Sequence, residues 1–154
     1  MAVAAATLPP NKGVPMALTV HDHEEIRQLL ARYNFAIDLG AAQDWANCFT
    51  PDGVFECVGI PEDSPLAGRY VGHDALKAYA VTHYGINKGR ARHWNWNLLV
   101  EGDGDDATMT CYLNVQSSGQ GDRAKLRATG IYRDTLQRID GHWRFATRKI
   151  TIDP

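Results

Sequence analysis

Two residues in this chain have the types and the setting for proton transfer. Asp38 closes the segment Tyr33-Asn34-Phe35-Ala36-Ile37-Asp38, which reads as the end of a helix with an apolar face. His93 opens a strand-like run, His93-Trp94-Asn95-Trp96-Asn97-Leu98-Leu99-Val100. A neutral imidazole, with an ordinary pKa of about 6.5, is a serviceable base near neutral pH. An ionised aspartate that accepts its other ring N–H fixes the tautomer and stabilises the imidazolium that forms. No Gly-x-Ser-x-Gly motif is present, and Cys48 sits in an ordinary helical context, so no nucleophile is evident. The pair would therefore take a proton directly from substrate or water, for a gain of about 10²–10⁴-fold. Tyr33, on the inner face of the same helix, is placed to donate to a developing oxyanion or leaving hydroxyl. The bland alternative stays open on residue types alone. A histidine at a strand start and an aspartate near a helix end are more often satisfied or solvated polar groups than catalysts. For Tyr33, Trp45, Phe49 and Phe55 the plain reading is core packing, which is compatible with lining a pocket.

Other polar clusters make weaker sites. His21-x-His23 beside Glu24 and Glu25 has metal-ligand types, but it lies at a helix start next to an Ala-rich tail. His83 with His93 and a carboxylate is a conceivable metal set. His83 is more simply a residue near a helix C-terminus, where a cationic ring suits the dipole. His73 follows Gly72 at the start of the same helix. Gly102-Asp103-Gly104-Asp105-Asp106 resembles a calcium loop in composition only, since it lacks the twelve-residue span with a closing Glu. Neither a metal nor a cofactor is expected.

The elements that must position the pair follow from periodicity. Ile26, Leu29, Leu30, Tyr33 and Ile37 recur at helical spacing, predicting a first helix from near Asp22 to Gly40, with Thr19 or Asp22 as cap. Asn34 and Asp38 share one edge of it. Ala41 to Phe49 predicts a second short helix that carries Trp45 and Phe49 and closes at the Thr50-Pro51-Asp52-Gly53 turn. Val54–Val58, with Phe55, reads as a strand, and Gly68–Val71 as its return. His73 to Tyr84 reads as a third helix. Period-two runs then cover 91–101, 107–117, 123–138 and 142–152, joined by hairpin turns at 102–106, 118–122 and 139–141. Helices first and an antiparallel meander afterwards predict an α+β fold, a cone in which three helices pack on a curved, mostly antiparallel sheet. Five or six strands cannot close on themselves, and the concave face offers a pocket. Strand parity puts His93, Asn95, Asn97 and Leu99 on the pocket side and Trp94, Trp96, Leu98 and Val100 outside. Exposed tryptophans need cover, which predicts a homodimer or higher homo-oligomer.

Bulk properties narrow the function classes. A chain of 154 residues is most simply one domain, here 19–154, after a loose tail at 1–18. The net charge of −2 gives no reason to expect a nucleic-acid partner. Lys125, Arg127, Arg133, Arg138, Arg144, Arg148 and Lys149 read mostly as a solvated sheet face. Cys48, Cys57 and Cys111 show no Cys-x-x-Cys spacing, so neither a disulfide framework nor a zinc site is expected, and a cytoplasmic location fits. No apolar run approaches membrane-spanning length, and the N-terminal residues do not read as a signal peptide.

The same residues carry a resemblance. Glu25-Ile26-Arg27-Gln28-Leu29, Tyr33, Asp38, Asp44-Trp45 and Cys48-Phe49-Thr50-Pro51-Asp52-Gly53-Val54-Phe55 come first. Arg92-His93, Tyr132 and Ile139-Asp140-Gly141-His142-Trp143-Arg144-Phe145 follow. Over roughly residues 20–152 this order resembles the SnoaL-like branch of the nuclear transport factor 2-like superfamily. It is similar to scytalone dehydratase, hexachlorocyclohexane dehydrochlorinase and bile acid 7α-dehydratase. The resemblance implies proton abstraction with elimination, carried by Asp38 and His93, with Tyr33 at the tyrosine position of the bile acid enzyme. There are departures: the fourth-strand histidine of scytalone dehydratase is missing from Asn114-Val115-Gln116-Ser117, and the epoxide hydrolase and ketosteroid isomerase patterns do not fall on equivalent residues. The expectation is a cofactor-independent lyase or isomerase acting on a small apolar organic molecule, with Trp45, Phe49, Phe55, Asn95 and Arg148 as pocket contributors. The rival is a non-catalytic small-molecule-binding or assembly module of the same fold.

Overall fold

A computed structural model describes residues 17–119, 121 and 123–154. The first helix, α1 (Val20–Leu39), starts where Thr19 adopts extended backbone and its hydroxyl accepts the Asp22 N–H. The Asp22 carboxylate returns the bond to the Thr19 N–H at 2.8 Å, closing a reciprocal cap. Thr19 is therefore the cap, and the helix begins two residues before the expected Asp22. Gly40, at φ 79°, ends it in a left-handed turn. After α2 (Ala42–Asn47) the chain enters β1 (Phe49–Val58), β2 (Gly68–Val71) and α3 (Gly72–Asn87). Four long strands follow: β3 (Ala91–Asp103), β4 (Asp106–Ser117), β5 (Lys125–Ile139) and β6 (His142–Ile152).

These strands form one open sheet in the order β2-β1-β6-β5-β4-β3, antiparallel except for the β1–β6 pair. The three helices cover its inner face, and the sheet curves round them without closing. The architecture is the expected α+β cone. Its core joins Ile26, Leu29 and Tyr33 of α1 to Trp45, Leu76 and Tyr79 of the other helices, and to the inward side chains of β1, β4, β5 and β6. Cys48, Cys57 and Cys111 are buried free thiols. Burial pushes the Cys48 and Cys57 thiols up to about 11, which leaves both unreactive.

Local differences from the sequence expectation have physical causes. Thr50-Pro51-Asp52-Gly53 is not a turn outside the sheet. It lies within β1, where the pairing to β6 slips between Phe49 and Val54. Gly53 is required there, because a Cβ would stand 2.7 Å from the Phe49 Cβ. α3 runs on through Gly85 to Asn87 and stops at Lys88, in the left-handed region at φ 50°. In β3, Asn97 takes φ 55° and the register shifts between Trp96 and Leu99. This bulge inverts the parity beyond Trp96: Leu98 and Val100 pack against the core, while Asn97 and Leu99 are exposed. At the N-terminus, Ala17 bridges Asp103 and Leu18 packs on the core. Residues 1–16, the bulk of the expected tail, lie outside the described residues.

Candidate active site

Asp38 sits in the last turn of α1, and its side chain is 7% exposed. Across from it, β3 presents His93 twice. The His93 backbone N–H donates to Asp38 Oδ2 at 2.9 Å, and ring Nδ1 lies 2.5 Å from Asp38 Oδ1. One carboxylate thus fixes both the strand and the ring. With Nδ1 committed as the donor, the proton is held there and Nε2 carries the basic lone pair. Two amides extend the contact between the elements, as Asn34 Nδ2 donates to Asn95 Oδ1 at 2.8 Å. Between α1 and edge strand β3 runs a crevice of about 340 Å³, lined by Asp38, His93, Asn34, Asn95, Phe35 and Trp96 among others.

His83 of α3 stands on the other side of the His93 ring, with the centroids 5.3 Å apart. The C-terminal helix position suggested a cation that suits the dipole, but the side chain is buried and stacks on Tyr79. Burial, reinforced by His93, lowers its pKa to about 4, so it is a neutral imidazole at physiological pH, and its Nδ1 has no hydrogen-bond partner. Tyr33, Trp45, Phe49 and Phe55 are each at most 2% exposed and pack on one another and on Tyr79 and Phe145. None of the four lines the crevice beside His93. Burial raises the Tyr33 phenol well above its usual range, so it stays neutral.

Arg148 departs furthest from the solvated-face reading. It is fully buried, because its position on β6 faces inward. Its Nη1 donates to Asp134 Oδ2 at 2.7 Å, and its guanidinium stacks 3.7 Å from the Tyr132 ring centroid and 4.4 Å from that of Tyr33. Burial works against this cation, yet Asp134 and the surrounding tyrosines raise its pKa and hold it charged. For Asp134 burial dominates and pushes the carboxyl up to about 7, against the pull of Arg148. Asp134 Oδ1 and Arg148 Nε and Nη2 have no hydrogen-bond partner, which leaves acceptor and donor capacity inside the cone. Sequence reasoning missed Asp134. The signal available was its parity, since it alternates with inward Tyr132 and Leu136. Phe35 was also missed, because at 69% exposure it belongs to no core pattern. Among the described residues, no three His, Cys, Asp or Glu side chains converge as a metal would require, and no helix is long and apolar enough to cross a membrane.

Residues 18–149 match the SnoaL-like domain. Among solved structures, a Mycobacterium tuberculosis protein of unknown function is 34% identical over 86% of this chain and 72% of its own, with a TM-score of 0.75. A Novosphingobium aromaticivorans NTF2-like protein with a cystatin-like fold is 27% identical over 86% of this chain and 82% of its own, with a TM-score of 0.74. A candidate scytalone dehydratase from that organism is similar in fold, at 20% identity, 88% and 86% coverage and a TM-score of 0.71. No curated protein matches the chain.

Proposed function

The chain belongs to the SnoaL-like domain family, and from that premise we propose that it is a cofactor-independent lyase or isomerase acting on a small, largely apolar organic molecule. One observation carries the reading: a buried carboxylate holds His93 by its backbone and by ring Nδ1 together. In the forward step, His93 Nε2 removes a proton from a carbon next to an electron-withdrawing group. In a dehydration the C–H electrons form the new double bond as the C–O bond breaks, and the departing hydroxyl takes the proton back from Nε2 and leaves as water. In an isomerisation Nε2 returns the proton to another carbon. Asp38 offsets the charge of the imidazolium between the two transfers. Arg148 is fully buried and does not line the crevice, so its cation acts from behind the site through the field it sets up and not by contact with substrate. Tyr33, Trp45, Phe49 and Phe55 act as the rigid aromatic backing of the site.

Base catalysis can be tested without the natural substrate. α-Proton exchange of small aryl ketones such as 1-tetralone into D₂O, followed by NMR, reports carbon-proton removal alone. The wild-type chain is expected to exceed buffer, and His93→Ala to lose about 10²–10⁴-fold of that excess. Exchange that survives His93→Ala removes His93 from the mechanism. A second reading, a small-molecule-binding module without turnover, draws on the same crevice, whose aromatic and amide lining suits a ligand whether or not a bond breaks. Ketone binding with no exchange above buffer would favour it. The proposal also includes a homodimer formed through the outer sheet face, where Trp94 and Trp96 are exposed.

A further inference from the structure

β5 carries a bulge where it enters the sheet. Val115 of β4 pairs with Ala128 and Gln116 pairs with Leu126, leaving Arg127 as the extra residue. Such a bulge re-aims the side chains beyond it. Leu126, which unbroken alternation would turn inward with Ala128 and Gly130, is 61% exposed. Lys125 pairs with Ser117 instead and shares its inward parity.

The result is a basic recess of about 290 Å³ at the rim of the cone. It is lined by Arg90, Arg123, Lys125 and Arg127, with Ser117 and Ser118 between them and Ile86 and Asn87 of α3 opposite. The backbone beneath the recess is held in place. Ser118 donates its backbone N–H and its hydroxyl to the Arg90 carbonyl at 2.9 and 3.2 Å, which ties the start of β3 to the end of β4. Among its described lining residues there is no carboxylate. The C-terminal end of α3 accounts for about half a unit of negative charge there. The backbone N–H groups of Lys88 and Arg90, which donate to the Tyr84 and Asn87 carbonyls, already answer part of it. Three arginines at one recess, Arg90, Arg123 and Arg127, in a chain of net charge −2, exceed that need.

The recess adjoins the proposed catalytic pair. Asn87 is one turn of α3 beyond His83, about 6 Å along the axis, and the His83 ring faces His93. Ser117 lies two residues along β4 from Val115, the pairing partner of His93, about 7 Å away.

We propose that this rim is an anion subsite, which holds the carboxylate or phosphate of a substrate whose apolar part reaches His93. The inference rests on the reading of the cone as a small-molecule site and names the substrate class as an apolar body joined to an anionic group. Arginines suit either anion, because their paired N–H groups match carboxylate and phosphate oxygens alike.

Titration of the ¹⁵N-labelled full chain with 2-naphthyl phosphate, 2-naphthoate and neutral 2-naphthol tests it. All three should shift the amides of His93 and Asn95. Only the two anions should shift Ser117, Ser118 and Arg127, and they should bind about tenfold more tightly than naphthol. The advantage should shrink with added salt and should disappear in Arg90→Gln/Arg127→Gln. Arg123→Gln, a second exposed site, should give a partial loss. The anion with the larger gain identifies the group the rim prefers. Anions that bind no better than naphthol, or an advantage that persists in the double variant, would overturn the subsite. Rim shifts with no response at His93 would uphold the anion subsite while removing the support for substrate at the catalytic pair.

Discussion

The arrangement around His93 is asymmetric, and the asymmetry assigns different work to two neighbouring imidazoles. Asp38 engages Nδ1 of His93 and leaves Nε2 as the ring nitrogen not bound to it, while burial and the proximity of His93 keep His83 neutral. His83 therefore serves as an uncharged neighbour and does not compete for the proton that His93 takes up. Its depressed pKa has a consequence for stability. In the unfolded chain His83 titrates near 6.5 and in the folded chain near 4, so between those values the unfolded state binds more protons. Stability contributed at this site is complete above about pH 6.5 and is lost as pH falls toward 4. Asp134 works in the opposite sense over the same range, because its folded pKa is raised. The clean measurement is a difference: denaturant unfolding of wild type minus His83→Phe across pH 4–7. That difference should fall on acidification, and a flat difference would mean that His83 is protonated as readily folded as unfolded.

At the scale of elements, the buried pair between β5 and β6 is the costliest polar contact in the cone. Arg148 and Asp134 are direct cross-strand partners, each with a side chain at 0% exposure. Removing Arg148 leaves the Asp134 carboxyl buried in the aromatic interior without its counter-charge or hydrogen-bond donor and empties the space the guanidinium filled, so Arg148→Met is expected to cost about 3–5 kcal/mol in denaturant unfolding. Asp134→Leu/Arg148→Met, which removes both charges, should recover most of that loss. A double variant as unstable as the single one would show that the packing of the guanidinium on its rings, and not the ion pair, holds the strands. This pair also shows where a linear sequence stops being legible. Helical period and strand parity are local, so the faces of Tyr33 to Asp38 and of His93 to Trp96 could be read from the chain, while the resemblance to the SnoaL-like branch is what favours pairing Asp38 with His93. Arg148 could be named as a pocket contributor, but a strand arginine is usually exposed and its burial depends on Asp134. That pairing exists only once the register of β5 on β6 is set. The bulges at Asn97 and Arg127 were illegible for a related reason, since each adds a residue to one strand relative to its partner.

Over the whole molecule, one face of the sheet has the helices and the other has no cover among the described residues. On that outer face Trp94 and Trp96 lie with rings 6.2 Å apart and nearly parallel, at 47% and 56% exposure, and Tyr112 sits opposite Trp96 at 52%. Inward from this aromatic margin the face is polar: Thr110, Thr135, Thr147 and Thr151 are exposed among the cross-strand neighbours Arg133 and Lys149, and Thr135 and Thr147 are joined through their hydroxyls at 2.7 Å. A two-fold axis that brings the aromatic margins of two copies together would cover each with the other, the same patch serving on both sides. Aromatic side chains of this size bury about 150–250 Å² each when fully covered, and with about half of each still exposed the two tryptophans and the tyrosine of both copies contribute several hundred Å² to the apolar centre of a dimer interface. The proposed dimer should appear in sedimentation at micromolar concentration as a species of twice the 17.1 kDa chain mass. Trp94→Ser/Trp96→Ser should shift it to the single-chain mass while the far-ultraviolet circular dichroism is retained, because neither ring belongs to the core. A wild-type chain that sediments only at the single-chain mass would leave this face without a second copy, and the proposed dimer would be withdrawn.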